Sequence, residues 1–349
     1  MSNWKNILAQ SVTTFDDLKK HLNCNNNALE HVIANYPMRI NPYFLNLIKK
    51  AGDPLLLQAV PNILELQDSR CVEDPLNEEN LSPVPNLVHK YPDRVLFLVT
   101  RECAMYCRFC TRKRKVGTER MIITRETLTA GYKYIRNNPG IREVLISGGD
   151  PLLLDDDVID DILHNLRSIP TIEVIRIGTR VPSTLPMRIT DDLVAVLKKH
   201  HPLYINTHFN HPFEITKEAA AACTALADGG IPIGNHTVLL KNINDTLPVM
   251  RALMCKLLQI RVKPYYLFQA DLAAGTNHFR THSSIGINIM RGLIGHISGM
   301  AVPTFAVDAP GGKGKVPLTP DYIIRRSNNL EFENYCGQIC CYPEADILI

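Results

Sequence analysis

Cys103, Cys107 and Cys110 stand in the run RECAMYCRFCTRKRKVG, Arg101 to Gly117, directly after the apolar stretch Val95 to Val99. Three thiolates so close on one loop can hold a soft metal centre. Three ligands, where a closed structural site would use four, leave a position open for a small molecule. That pattern points to a four-iron four-sulfur cluster with one exposed iron. Tyr106 and Phe109, between the cysteines, favour it over a zinc site completed from elsewhere or three ordinary buried thiols.

Other residues could do chemistry beside such a centre. Ser147-Gly148-Gly149-Asp150 pairs two glycines, which let a backbone approach a ligand closely, with amides and carbonyls able to bind an amino-acid moiety. His208 and His236 stand in the runs Asn206 to His211 and Gly234 to Thr237; a histidine there can bind a ligand or merely cap a loop. The loop Asp308 to Pro317, DAPGGKGKVP, presents Lys313 and Lys315. A lysine there can form a Schiff base with pyridoxal phosphate, or the loop can simply grip a phosphate. Arg112 suits a bidentate contact to a carboxylate, whereas Lys113, Arg114 and Lys115 read as a solvated basic patch.

The array C-x3-C-x-aromatic-C resembles the signature of the radical S-adenosylmethionine enzymes. The wider run from Tyr91 to Pro317 resembles the lysine 2,3-aminomutase family. The resemblance implies radical 1,2-amino migration converting L-lysine to β-lysine, with a 4Fe-4S cluster, S-adenosylmethionine and pyridoxal phosphate. It places Ser147, Gly148, Gly149, Asp150, His208 and His236 against S-adenosylmethionine, although the family pattern has glutamine where this chain has His236. It makes Lys315 the pyridoxal lysine, with Lys90 and Arg94 for the phosphate and Tyr265 and Tyr266 on the ring. It gives Arg112 the substrate carboxylate, and Asp271 and Asp308 the far ammonium of lysine; two aspartates there favour a basic substrate over glutamate. It further implies a reducing electron donor such as flavodoxin or ferredoxin, with homo-oligomerisation left open. Cys336, Cys340 and Cys341 do not match the zinc-binding spacing of the long family members, so no zinc is expected. One alternative is the short branch acting on lysine for, or on, elongation factor P. Another is a non-catalytic iron-sulfur or metal-binding protein.

The scaffold that must position these groups is legible in the periodicity. Short β-branched runs at 95–100, 143–147, 173–178, 203–208, 233–239, 263–268 and near 303–307 alternate with helical stretches at 125–137, 158–168, 191–200, 217–229, 247–258 and 286–299. Six βα units are too few to close an eight-stranded barrel, so the pattern predicts an α/β fold: an open partial (β/α)6 TIM-type barrel, with chemistry at the C-terminal strand ends. An N-terminal helical region and connector is expected over 1–85, the barrel over 86–310, and a lysine loop with a short C-terminal extension over 311–349. Asp53-Pro54 reads as a helix cap followed by proline. A net charge of +3 is too mild for a nucleic-acid binder, and no apolar run suggests a membrane span. Ten cysteines without a disulfide framework suit a reducing cytoplasm.

Overall fold

The structure, a computed structural model, describes residues 3–22, 26–327 and 329–345. Its centre is a nine-stranded sheet: β1 (Leu87–Tyr91), β2 (Arg94–Thr100), β3 (Glu143–Gly148), β4 (Val174–Gly178), β5 (Leu203–Thr207), β6 (Ile233–Leu239), β7 (Lys263–Gln269), β8 (Thr304–Asp308) and β9 (Lys315–Pro317). The strands lie in sequence order. β2 to β8 are parallel, as helical crossovers require, and β1 and β9 turn back antiparallel on the two edges. The open barrel of the sequence reading is therefore present as β2 to β7, with β8 a further parallel strand. β9 pairs Lys315 with Asp308, so this hairpin spans the boundary expected at residue 311.

The strands alternate between two surfaces. Val144 and Ile146 of β3, Ile175 and Ile177 of β4, and Leu203 and Ile205 of β5 face the helices in one continuous apolar core. Their neighbours Leu145, Ser147, Arg176 and Asn206 face the hollow of the curved sheet. One irregularity breaks the alternation. In the β6–β7 pairing the partner of Asn235 is Pro264 and that of His236 is Tyr266, so Tyr265 is an extra, bulged residue. Both Tyr265 and Tyr266 consequently reach the hollow, which two consecutive residues of a regular strand could not do.

The helix after β7 runs Ser283–Leu293 where the periodicity suggested 286–299. It starts earlier on a His282 cap and stops before Gly295, whose φ of 79° is left-handed. At its other end the chain forms a small antiparallel sheet, β10 (Ile323–Arg326), β11 (Asn329–Glu333) and β12 (Ile339–Pro343), which the sequence reading missed.

The N-terminal helices Asn3–Ala9, Phe15–His21, Ala28–Asn35, Pro42–Ala51 and Asp53–Ala59 form as their caps direct. Thr14 accepts from the Asp17 amide at 3.1 Å, and Asn41 accepts from Phe44 at 3.0 Å ahead of Pro42. Asp53 proves to be the first helical residue, with Gly52 as the cap. The apolar faces pack into a core of Phe15, Leu18, Val32, Phe44 and Ile48 that takes in Met105 of the cysteine loop. Ile40 bridges Met105 in β fashion. The buried Asn41 amide donates to the carbonyls of Ala104 and Thr184 at 3.0 and 2.9 Å. These helices are thus a clamp on the cysteine loop. Asn41→Ala removes a cap and strands two carbonyls, and should cost about 2–4 kcal/mol in denaturant unfolding of the metal-free protein. A loss under about 0.5 kcal/mol, the level of a surface substitution, would show that the clamp does not depend on Asn41.

Candidate active site

A cavity of about 910 Å³ fills the hollow of the sheet. It stands at the top of the range of about 300–1,000 Å³ for ligand sites, so one small molecule need not fill it. Cys103, Cys107 and Cys110 line one wall, and Lys315, Asp308, Asp271 and Lys90 another. The strand ends between them contribute Ser147, Gly148, Gly149, Asp150, His208 and His236.

The three thiols are neighbours in charge as well as in sequence. Burial pushes the Cys103 thiol well above its ordinary value, with Asp150, Cys110 and Cys107 adding to the effect. Burial pushes Cys110 up to about 11, and Cys107 adds to it. Three thiolates here would repel one another unless a cationic centre lay among them. Among the described residues no three His, Cys, Asp or Glu side chains gather around a point that a single ion could occupy. A cubane asks for a different arrangement, each thiolate taking its own iron, and three cysteines of one short loop lining one cavity suit it.

The basic run after the cysteines is not a solvated patch. Lys113 is buried, and its ammonium donates to Glu65 at 2.7 Å and to the carbonyls of Arg108 and Gly275 at 3.0 and 3.1 Å. Burial pulls its pKa down to about 8, against the pull of Glu65. Arg114 lies 3.0 Å from Asp74 and 3.2 Å from Glu79. Arg112 does line the cavity, but Glu78 engages its Nε and Nη2 at 3.0 and 2.6 Å. The cation expected to meet a substrate carboxylate is therefore already engaged by a carboxylate of this chain.

The glycines after β3 serve a closer approach than a ligand's. A Cβ on Gly148 would stand 2.2 Å from the Thr100 carbonyl oxygen, and one on Gly149 2.3 Å from that of Glu102. They let this loop pass directly over the backbone that leads into the cysteines. Asp150 is buried, and its carboxylate accepts from Thr179 Oγ1 at 2.6 Å and from the amides of Arg180 and Val181 at 2.7 and 3.1 Å. It ties the end of β3 to the end of β4, which takes its oxygens out of ready ligand contact. Ser147 is free of that duty on the cavity face.

His208 Nε2 lies 3.0 Å from Asn210 Oδ1, and burial holds the imidazole well below its usual value, with Arg180 and His236 adding to the effect. His236 Nε2 faces Asn206 at 3.0 Å; burial, then Arg176 and Lys315, pull it down to about 3. Burial thus favours the neutral ring at both positions. His236 also joins an aromatic group with Tyr265, Tyr266 and Phe268.

Lys315 lines the cavity, whereas Lys313 of the same loop does not. Lys315 Nζ is 3.1 Å from Asp308 and 5.2 Å from the centre of the Phe268 ring, and its amide donates to Tyr91 Oη at 3.1 Å. Lys90 also meets Asp308, at 3.3 Å. Arg94 stacks over Tyr91, 4.2 Å from the ring centre. Burial pushes the Asp271 carboxyl up to about 7, with Asp308 raising it further and Lys315 and Lys90 opposing.

Sequence reasoning passed over Arg180, Glu78, Gln58, Glu214 and Tyr91. Arg180 stands at the end of β4, where the strand-end rule pointed. Gln58 and Glu214 carry no sequence signal, because only the folded chain brings them to it.

Residues 97–250 match the family model described as the radical SAM superfamily, and residues 290–349 that described as lysine-2,3-aminomutase. The chain is 47% identical over 350 residues to L-lysine 2,3-aminomutase of Clostridium subterminale, covering 98% of this chain and 84% of that protein. It is 50% identical over 336 residues to L-lysine 2,3-aminomutase of Methanococcus maripaludis, covering 95% and 76%. Glutamate 2,3-aminomutase of Clostridioides difficile is 44% identical over 333 residues, covering 94% and 79%.

Two outcomes follow from this geometry. Cys103→Ala, Cys107→Ala and Cys110→Ala should each lose most iron after anaerobic reconstitution; full iron in Cys107→Ala would refute the thiol set. Asp271 has its folded pKa raised from 3.8 to about 7, so ionising it costs stability. That cost is full above pH 7, shrinks as pH falls and is gone near pH 4. Asp271→Asn should therefore raise the melting temperature of the metal-free protein more at pH 8 than at pH 5. A pH-independent difference would contradict the carboxylate's burial beside Asp308.

Proposed function

The chain belongs to the lysine 2,3-aminomutase family of radical S-adenosylmethionine enzymes, and on that premise we propose that it moves the α-amino group of L-lysine to the β-carbon, giving β-lysine. The observation that carries the choice of substrate is the pair Asp271 and Asp308 on the cavity lining, close enough that Asp308 helps to raise the Asp271 carboxyl. A second ammonium in that place relieves the repulsion, whereas the side-chain carboxylate of glutamate would add to it.

A bound cluster and S-adenosylmethionine supply a 5'-deoxyadenosyl radical, and bound pyridoxal phosphate supplies a conjugated ring that shares the unpaired spin beside the migrating nitrogen. The chain's part is to hold and orient. Cys103, Cys107 and Cys110 would hold the cluster through three thiolates, with the cavity beside them. Ser147 and the loop it begins, fixed by Asp150, present backbone groups there, with His208 and His236 as neutral neighbours. Lys315 is the loop lysine aimed into the cavity, with the Tyr265, Tyr266 and Phe268 rings beside it. Lys90 and Arg94 line the same wall as cations for a phosphate, and the Arg176 Nε is buried there without a partner among the described residues. These groups fit a phosphorylated aromatic aldehyde. Arg112, released in part from Glu78, takes the α-carboxylate. Asp308 exchanges the Lys315 ammonium for that of the substrate, which frees Lys315 from its ion pair.

Anaerobic assay of free lysine, free glutamate and elongation factor P under reducing conditions tests the reading. Free lysine should be the substrate. Asp308→Asn should lower kcat/KM for lysine by about a hundredfold or more, the usual scale for losing one partner of a buried charge pair. Turnover of glutamate or of the protein substrate instead, or a change of only a few-fold, would overturn the assignment. Borohydride reduction with pyridoxal phosphate should label Lys315; label mapped by peptide mass to Lys313 would reverse the roles of the two loop lysines.

A further inference from the structure

We infer that Arg180 is a positioning residue for the cluster, setting its electron affinity through a hydrogen bond to Cys107. Its Nη1 donates to Cys107 Sγ at 2.8 Å. The inference rests on the cluster reading above and adds a residue that neither ligates iron nor meets the substrate.

The guanidinium is held from every side. Nη2 donates to Gln58 Oε1 at 2.6 Å and to Glu214 Oε2 at 3.0 Å, and Nε donates to the His208 carbonyl at 3.2 Å. Its carbon lies 5.2 Å from the centre of the Phe109 ring, between two of the cysteines. Arginine stays charged at any working pH, so a permanent donor faces this sulfur. Glu214 does not cancel it. Its own oxygens are shared with Ser183 Oγ at 2.9 Å, Gln58 Nε2 at 3.0 Å and the amides of Asn210 and His211 at 3.0 and 2.9 Å. Adding an electron to a cluster builds negative charge on its sulfurs. A buried N–H aimed at one of them therefore favours the reduced state. A merely structural arginine needs the Glu214, Gln58 and His208 contacts alone, and has no reason to spend a donor on sulfur.

The experiment uses the full chain, reconstituted with iron and sulfide and kept free of S-adenosylmethionine. Wild type that binds no cluster overturns the cluster reading itself, not this inference. With cluster bound, Arg180→Gln should lower the reduced-to-oxidised ratio at a fixed dithionite poise by about tenfold, equivalent to about 59 mV for a one-electron couple. Arg180→Lys, which keeps charge and one donor, should recover part of it. Arg180→Gln with a full cluster and an unchanged ratio would sink the proposal. If that variant fails to fold, wild type carrying 15N-arginine gives the answer. The reduced cluster should show a hyperfine coupling to one arginine nitrogen, lost in Arg180→Lys, and its absence in wild type overturns the hydrogen bond.

Discussion

Glu65 is a carboxylate with no water around it, and two cations from the cysteine loop depend on it. Arg108 and Lys113 both donate to it, and Arg108 also reaches the Tyr36 and Pro37 carbonyls at 3.3 and 2.8 Å. Burial alone would raise the Glu65 carboxyl; Arg108 first and then Lys113 hold it below the usual range. Removing one partner from such a set typically costs about 3–5 kcal/mol, because the others stay buried and uncompensated. The cysteines at 107 and 110 flank Arg108, so the positions of their sulfurs depend on an N-terminal residue 43 positions away. The helical region is for this reason part of the site.

The second constraint is the curvature of the sheet. Period-two alternation brings Leu145 and Ser147 of β3, Val174 and Arg176 of β4, Tyr204 and Asn206 of β5, and Gly234, His236 and Val238 of β6 to the cavity, which is why its polar groups face it together. The bulge at Tyr265 then adds a ring that strict alternation would have sent to the outside. Charge follows position. Asp308 ends β8 and Lys315 opens β9, and their pairing across one hairpin puts the Lys315 ammonium beside the Asp308 carboxylate. The cations and anions of the site pair with one another: Lys90 and Lys315 with Asp308, and Arg112 with Glu78.

Much of the scaffold was legible because it is written locally. Each parallel strand from β2 to β8 is a compact apolar run between helical periods, and its ends came out within a residue. The cysteine array and the lysine loop were legible for the same reason. What was not legible depends on distant partners. Nothing near Lys113 says that Glu65 and the Gly275 carbonyl will bury it, so the three basic residues at 113–115 looked solvated. The glycines at 148 and 149 were marked for a close approach, and the backbone at 100–102 lies that close to them on the side where a Cβ would stand. β9 is three residues with a proline, too short for a pattern. No described helix is long and apolar enough to cross a membrane, in line with the absence of any such run in the sequence.

The connector between the helical region and the barrel joins these parts. Val72 pairs with the chain just after β7 through hydrogen bonds to Leu272 and from Ala274 at 2.8 and 2.9 Å. Gly311 donates to the Pro75 carbonyl at 2.9 Å, and a Cβ on Gly312 would stand 2.6 Å from the Leu76 carbonyl oxygen. Glu78, a few residues on, holds Arg112. One short segment therefore touches the loop that carries Lys315, the strand end that carries Asp271 and the arginine beyond the cysteines. A ligand that draws Arg112 away from Glu78 acts on the same segment against which the lysine loop is packed. The Arg112 contact and the lysine loop thus share one segment of backbone, packed at residue 312 too closely to admit a side chain.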